Sequence, residues 1–218
     1  MVKNTHQRAK AMQFCLTQKQ VHQMINAADN IRDRIIIELL AFSGARRKEI
    51  TLLKVSNLDL ENDRIMMPTV KRRNDPYKEI RQIPIISQRF KQDIKTYLDL
   101  WKTKYNLKQE NRLIQQASKT EKDGISRARI NQIVAQVADR AGIKSPNPNR
   151  RHVHPHMLRH SFVRFARQAG MNFKVIQELM GHASISTTFD MYGQPDWTEI
   201  YNETKQKLHD FANFSGGL

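Results

Sequence analysis

The chain has 218 residues, 39% apolar and 27% charged, enough for one large or two small globular domains with a hydrophobic core. Thirty-seven Lys and Arg against twenty-one Asp and Glu leave a formal net charge of +16, which points to a polyanionic partner, nucleic acid or an anionic membrane surface. No apolar run approaches the roughly 20 residues of a membrane span, no apolar signal core opens the chain, and the single Cys15 excludes an internal disulfide framework and a cysteine-rich zinc site.

Residues 1–15 are basic and weakly patterned, and read as a linker or arm. Thr17 is placed to N-cap a helix over 18–28. A second helix over 31–43 carries IIIELLAF, apolar almost all round, so it predicts a buried core helix. Gly44 breaks it, and RRKEITLLKV opens a third. Short extended pieces follow at 58–60, 64–68 and 79–85, separated by Glu-Asn-Asp and Asn-Asp-Pro turns, which predicts a small antiparallel sheet. Helical periodicity resumes near 87–102, 126–141, 156–168, 172–180 and 196–212, with Gly142, Gly170 and Gly181 at breaks and a Pro-Asn-Pro-Asn loop at 146–149. The fold class is mainly α with a small three-stranded antiparallel β-sheet, without internal repeats.

Three clusters carry polar residues that a packed helical protein has no need of. In Ser43-Gly44-Ala45-Arg46-Arg47-Lys48-Glu49-Ile50, the glycine turn brings Arg46 out at a helix start near the core. Glu49, three residues on, shares its face and can orient the guanidinium; the plain alternative is an exposed ion pair. In His154-Pro155-His156-Met157-Leu158-Arg159-His160, His156 and Arg159 share a helical face and form an anion site with an exchangeable proton. The i,i+4 pair His156 and His160 has metal-ligand spacing, but no Glu completes a hydrolase motif and Arg159 repels a cation, so no metal is assigned. Met157 and Leu158 read as core. The third cluster, Leu179-Met180-Gly181-His182-Ala183-Ser184-Ile185-Ser186-Thr187-Thr188, is followed by Tyr192-Gly193. Its Ser and Thr suit caps and phosphate contacts, and Tyr192 taken alone reads as a half-buried aromatic.

Together SGARRKE, HPHMLRHSF and MGHASISTTFDMYG resemble the signature of the tyrosine recombinase (phage integrase) family, from Leu16 to Gly193. The family order of Arg, Lys, His-x-x-Arg, His, Tyr is met by Arg46, Lys71, His156, Arg159, His182 and Tyr192. Lys71 occupies the expected strand end, and Lys78 lies across the same turn. The interval from His182 to Tyr192 is one residue longer than in many members and similar to that of transposon-type integrases.

The resemblance implies the tyrosine recombinase catalytic fold over 16–195 and a site-specific recombinase of integrase, excision or inversion type. Tyr192 would attack phosphorus to form a covalent 3′-phosphotyrosine, with Arg46, Arg159 and His182 stabilising the transition state. Lys71 would protonate the leaving oxygen and His156 would take or orient the phenolic proton, with Glu49 behind Arg46. No cofactor is required. The implied partner is double-stranded DNA, with self-association into a synaptic tetramer, in a reducing cytoplasmic setting on the nucleoid and without a membrane. Arg47, Arg72, Arg73, Arg127, Arg129, Asn131 and His160 are candidate DNA contacts; the helix near 126–141 is a candidate base reader or a plain packing helix with a basic end. The segment 196–218 forms an amphipathic helix and tail, with Trp197, Ile200, Tyr201, Leu208 and Phe211 on one face, docked on a neighbouring subunit or on its own domain. Family members usually carry an N-terminal DNA-clasping domain that this pattern lacks, so the chain reads as a truncated form or as a short inversion-type recombinase. The rival functions are type IB topoisomerase-like relaxation and a catalytically silent DNA-binding protein.

Overall fold

The computed structural model describes residues 14–70, 80–115, 124–181 and 196–214. Helix α1 (Gln18–Asn26) starts where the sequence predicts. The Thr17 hydroxyl accepts from the Gln20 amide while the Gln20 side chain accepts from the Thr17 amide, a reciprocal capping box. Asn30 caps α2 (Ile31–Phe42), in which every residue from Ile35 to Phe42 is buried. This helix is the central post, packed against α1, α4 (Gln88–Tyr105), α5 (Arg127–Arg140) and α6 (Pro155–Gln168). Its all-round apolar run follows from having neighbours on every side.

Helix α3 (Arg47–Leu52) is shorter than its sequence suggests. Leu53 turns extended, its carbonyl accepts from Leu113 N at 2.7 Å, and Lys54 bridges to Arg112, so a later segment captures the backbone before another turn can form. Strands β1 (Leu58–Asp59), β2 (Arg64–Pro68) and β3 (Ile80–Pro84) make one antiparallel sheet in the order β1-β2-β3. Ile65 pairs with Ile83 and Met67 with Arg81, and all four are buried on the face turned to the helices. Helix α4 runs past its predicted end to Asn106, whose left-handed backbone closes it.

The last two helices, α7 (Phe173–Met180) and α8 (Trp197–Ala212), are capped by Asn172 and Asp196. Within this single chain α8 lies on its own domain, against β3, α6 and α7. Phe211 lies tilted against Phe165 at 4.4 Å and edge-on to Phe42 at 5.4 Å, and its carbonyl lies 2.7 Å from the His22 ring. Ile200, Leu208 and Phe211 are buried as the sequence predicts, while Trp197 and Tyr201 are only half-buried. They flank the sheet, with Arg64 over the Trp197 ring at 5.8 Å. The architecture is mainly helical with one small sheet set early in the chain.

Candidate active site and nucleic-acid interface

The site begins at Gly44, the turn between α2 and α3. Its φ of +59° favours glycine, and a Cβ there would stand 2.8 Å from both Met180 Sδ and a Phe162 ring carbon. The turn leaves Arg46 as the residue before α3. Glu49 then closes the helix start from below: one carboxylate oxygen accepts the Arg46 amide and the other the Arg46 guanidinium, each at 2.8 Å. Glu49 is fully buried, so the pair is not the exposed ion pair its spacing also allowed.

A second guanidinium, which sequence reasoning did not single out, shares that carboxylate. Arg81 projects from β3 into the core and donates to Glu49 Oε2 at 2.8 Å, with its side chain only 1% exposed. Burial alone would raise the Glu49 pKa. The charge and hydrogen bond of Arg81, joined by the amide and charge of Arg46, outweigh it and hold the carboxyl below its ordinary value.

The end of α7 gathers the same arginines. The Gly181 amide satisfies the carbonyls of Gln177 and Glu178, and those of Leu179, Met180 and Gly181 have no helical partner among the described residues. Arg81 donates to Leu179 O at 2.7 Å, Arg159 to Met180 O at 2.8 Å, and Arg46 to Gly181 O at 3.4 Å. Arg159, projecting from α6, also donates to Gly44 O. A helix C-terminus carries partial negative charge, so three cations here complement it. Burial first, then the nearby Arg46, pull the Arg159 guanidinium down to about 9, and it stays charged at neutral pH. Three guanidiniums around one carboxylate leave a formal excess of two positive charges. Arg46, 17% exposed at its side chain, is the member that opens to solvent. Such a pocket of fixed donors suits the non-bridging oxygens of a phosphate.

Pro155 opens α6 at its first position and sets a histidine cluster at the helix start. His156 is exposed while His154 and His160 are half-buried; Met157 and Leu158 are core, as predicted. Partial desolvation, then the charges of His154, His160, Arg159 and Arg47, bring the His156 pKa down to about 4. His154 and His160 are lowered as well, again first by desolvation. A neutral imidazole beside Arg159 is a proton acceptor at neutral pH. Among the described residues, no group of three or more His, Cys, Asp or Glu is arranged to hold a metal ion.

The structure thus brings Arg46, Glu49, Arg159 and His156 into one region. Arg47 lies beside them and donates to Asn131 Oδ1 at 2.9 Å, tying α3 to the second turn of α5. Arg127 is exposed there, and the half-buried Arg129 donates to Gln132. The remaining sequence-predicted residues, Lys71, Arg72, Arg73, His182 and Tyr192, with the alternative Lys78, lie outside the described residues.

The model of the phage integrase family matches residues 15–199. The chain is 31% identical over 179 residues to tyrosine recombinase XerA of Pyrococcus horikoshii, which covers 82% of this chain and 56% of that protein. The chain therefore spans little more than half the length of this relative. Among solved structures it is similar to the XerA recombinase, with a TM-score of 0.63 at 24% identity over 78% of this chain and 55% of that one. It is also similar to the Tn1549 transposon integrase in complex with transposon right-end DNA, with a TM-score of 0.61 at 20% identity over 89% and 66% of the two chains.

Proposed function

The chain belongs to the phage integrase family, and on that footing we propose that it is the catalytic part of a site-specific DNA recombinase acting through a covalent 3′-phosphotyrosine. The observation that carries this reading is the convergence of Arg46 and Arg159 on the adjacent carbonyls of Gly181 and Met180, immediately before His182. Two family arginines and the segment leading to the family histidine and tyrosine thereby meet at one backbone turn.

In the proposed reaction, Arg46 and Arg159 bind the non-bridging oxygens of the scissile phosphate, with His182 as a further donor, and stabilise the charge that builds in the transition state. The Tyr192 oxygen forms a bond to phosphorus as the bond from phosphorus to the 5′-oxygen breaks. The phenolic proton passes to His156, which is neutral at the working pH, and Lys71 protonates the departing 5′-oxygen. The phosphotyrosine conserves the bond, so attack by a second 5′-hydroxyl reverses the step and rejoins DNA. Glu49 holds Arg46 in place.

Double-stranded DNA is the proposed substrate. The basic composition and the DNA bound in the Tn1549 integrase structure support it. Arg47, Arg127, Arg129, Asn131 and His160 are the proposed duplex contacts, with Arg72 and Arg73 as further candidates; phosphate contacts set its affinity and its salt dependence. Assembly of four copies at synapsis belongs to the same proposal, as does a nucleoid location; for α8 to join a neighbour it would have to leave its own domain, where Ile200, Leu208 and Phe211 are buried.

The test is covalent trapping on supercoiled plasmid in EDTA at low salt, quenched with SDS. A protein–DNA adduct that disappears in Tyr192→Phe supports the reading. No adduct from the wild type on plasmid, nor on nicked duplexes carrying a mapped target, would refute it.

A further inference from the structure

Arg81 is the most buried charged donor of the site, and its three partners are unusually informative. Nη2 bonds the carboxylate that orients Arg46, Nε bonds the Leu179 carbonyl, and Nη1 reaches the Thr69 hydroxyl at 3.3 Å. Gly181 presses on the same guanidinium: its φ is +58°, and a Cβ there would lie 3.1 Å from Arg81 Nη1. One planar side chain therefore touches the support of Arg46, the end of α7 and the strand end that precedes Lys71. A guanidinium with donors in a fixed fork can hold these in one geometry, which a lysine ammonium cannot.

We infer that Arg81 is a positioning residue for strand cleavage: through Glu49 it sets the Arg46 clamp, and through Leu179 it sets the backbone that leads into His182. This rests on the proposed recombinase chemistry. Arg81 itself touches no DNA in this scheme, since its side chain is sealed beneath the site. The plain alternative is an ion pair that only stabilises the fold.

The experiment compares wild type with Arg81→Lys and Arg81→Met, each checked for folding by thermal melting. The cleavage position is mapped from the wild-type adduct on plasmid, then rebuilt in duplexes with either a phosphate or an uncharged methylphosphonate at that position. A misplacement of about 1 Å caused by a mutation away from the chemistry can cost about 100-fold, and a loss of up to about that size is expected for Arg81→Lys on phosphate. Affinity for the same duplex should stay near wild type. On methylphosphonate, which presents one charged oxygen fewer to Arg46, the deficit should shrink several-fold. An equal deficit on both duplexes, or none on phosphate, overturns the inference in favour of a purely structural pair. If Arg81→Met does not fold, Arg81→Lys carries the comparison.

A wild type that gives no Tyr192-dependent adduct refutes the recombinase reading, and the positioning claim is then decided without DNA. In wild type the Arg46 guanidinium, bonded to Glu49 and Gly181, should show separate Nη NMR signals from hindered rotation. In Arg81→Lys those signals should merge; unchanged signals overturn the inference.

Discussion

Two buried glutamates sit on successive helices and meet opposite fates. Glu49 on α3 has guanidiniums on both oxygens, from Arg46 and Arg81, and stays ionised. Glu38 on α2 is just as deeply placed at 1% exposure, but the charge that acts on it most strongly is another acid, Asp93. Burial first, then the charge of Asp93, push its pKa up to about 9, against the pull of Arg89 and Arg34, so it carries a proton at neutral pH. Arg34 Nε, Glu38 Oε2 and Asp93 Oδ2 are without a hydrogen-bond partner among the described residues. Depth alone does not decide whether an acid is charged. A cation within hydrogen-bond reach does, and Arg46 and Arg81 supply it to Glu49.

The largest break in this comparison is Glu49→Leu, which strands Arg46 and Arg81 without their counter-ion. Removing one partner of a buried pair costs about 3–5 kcal/mol, so urea unfolding should show a loss of that order, and a loss under about 1 kcal/mol would mean the pair is not truly sealed. Glu38→Gln should act the other way. A carboxyl whose folded pKa is raised stabilises fully below 4.5, and that contribution is lost as pH climbs from 4.5 toward about 9. The variant should therefore gain on wild type with rising pH, by at most about 1.4 kcal/mol per pH unit, the slope of a single proton. Parallel urea midpoints for the two proteins between pH 6 and 8.5 would show that Glu38 is already ionised in the fold.

Smaller effects sharpen the contrast at the surface. His22, His154, His156 and His160 all have lowered pKa values, that of His156 reaching about 4. Below the ordinary value of 6.5 the unfolded chain takes up protons that the folded chain refuses, so stability should fall as pH drops from 6.5 toward 4. His156→Asn should flatten part of that decline, seen as a smaller shift in urea midpoint between pH 7 and pH 5. Arg127→Ala, at an exposed position, should leave stability within about 0.5 kcal/mol. If Arg127 contacts a phosphate, the variant should lower the salt dependence of DNA binding by about one ion. An unchanged slope would remove Arg127 from the interface.

Much of the fold was legible because its helix starts are chemically explicit. Thr17, Asn30, Ser87, Ser126, Asn172 and Asp196 each cap a helix with a side-chain oxygen, and each stands within a residue or two of its predicted boundary. Arg46, Glu49 and Arg159 were legible through motif spacing. Arg81 was not, because β3 inverts the usual rule: Ile80 is 49% exposed while Arg81 is buried. Hydrophobicity assigns a strand's faces only when its charges have no buried partner, and Glu49 supplies one from thirty-two positions upstream. Strand alternation held the missing clue, since Arg81 shares its face with Ile83, which pairs across the sheet with buried Ile65.

The arginine-capped end of α7 also has a meaning in time. The bonds that build it join residues 135 positions apart for Arg46 and Gly181 and 98 for Arg81 and Leu179, with a shorter span of 21 for Arg159 and Met180. Closing the two long loops costs chain entropy before the bonds repay it, so these contacts depend on the rest of the fold. A chain still emerging from the ribosome holds Arg46, Glu49 and Arg81 before residue 181 exists, but it lacks the carbonyls at the end of α7 that fasten Arg46 and Arg81. Under the proposed chemistry such a chain also lacks Tyr192, so it has clamp residues without the nucleophile and forms no phosphotyrosine.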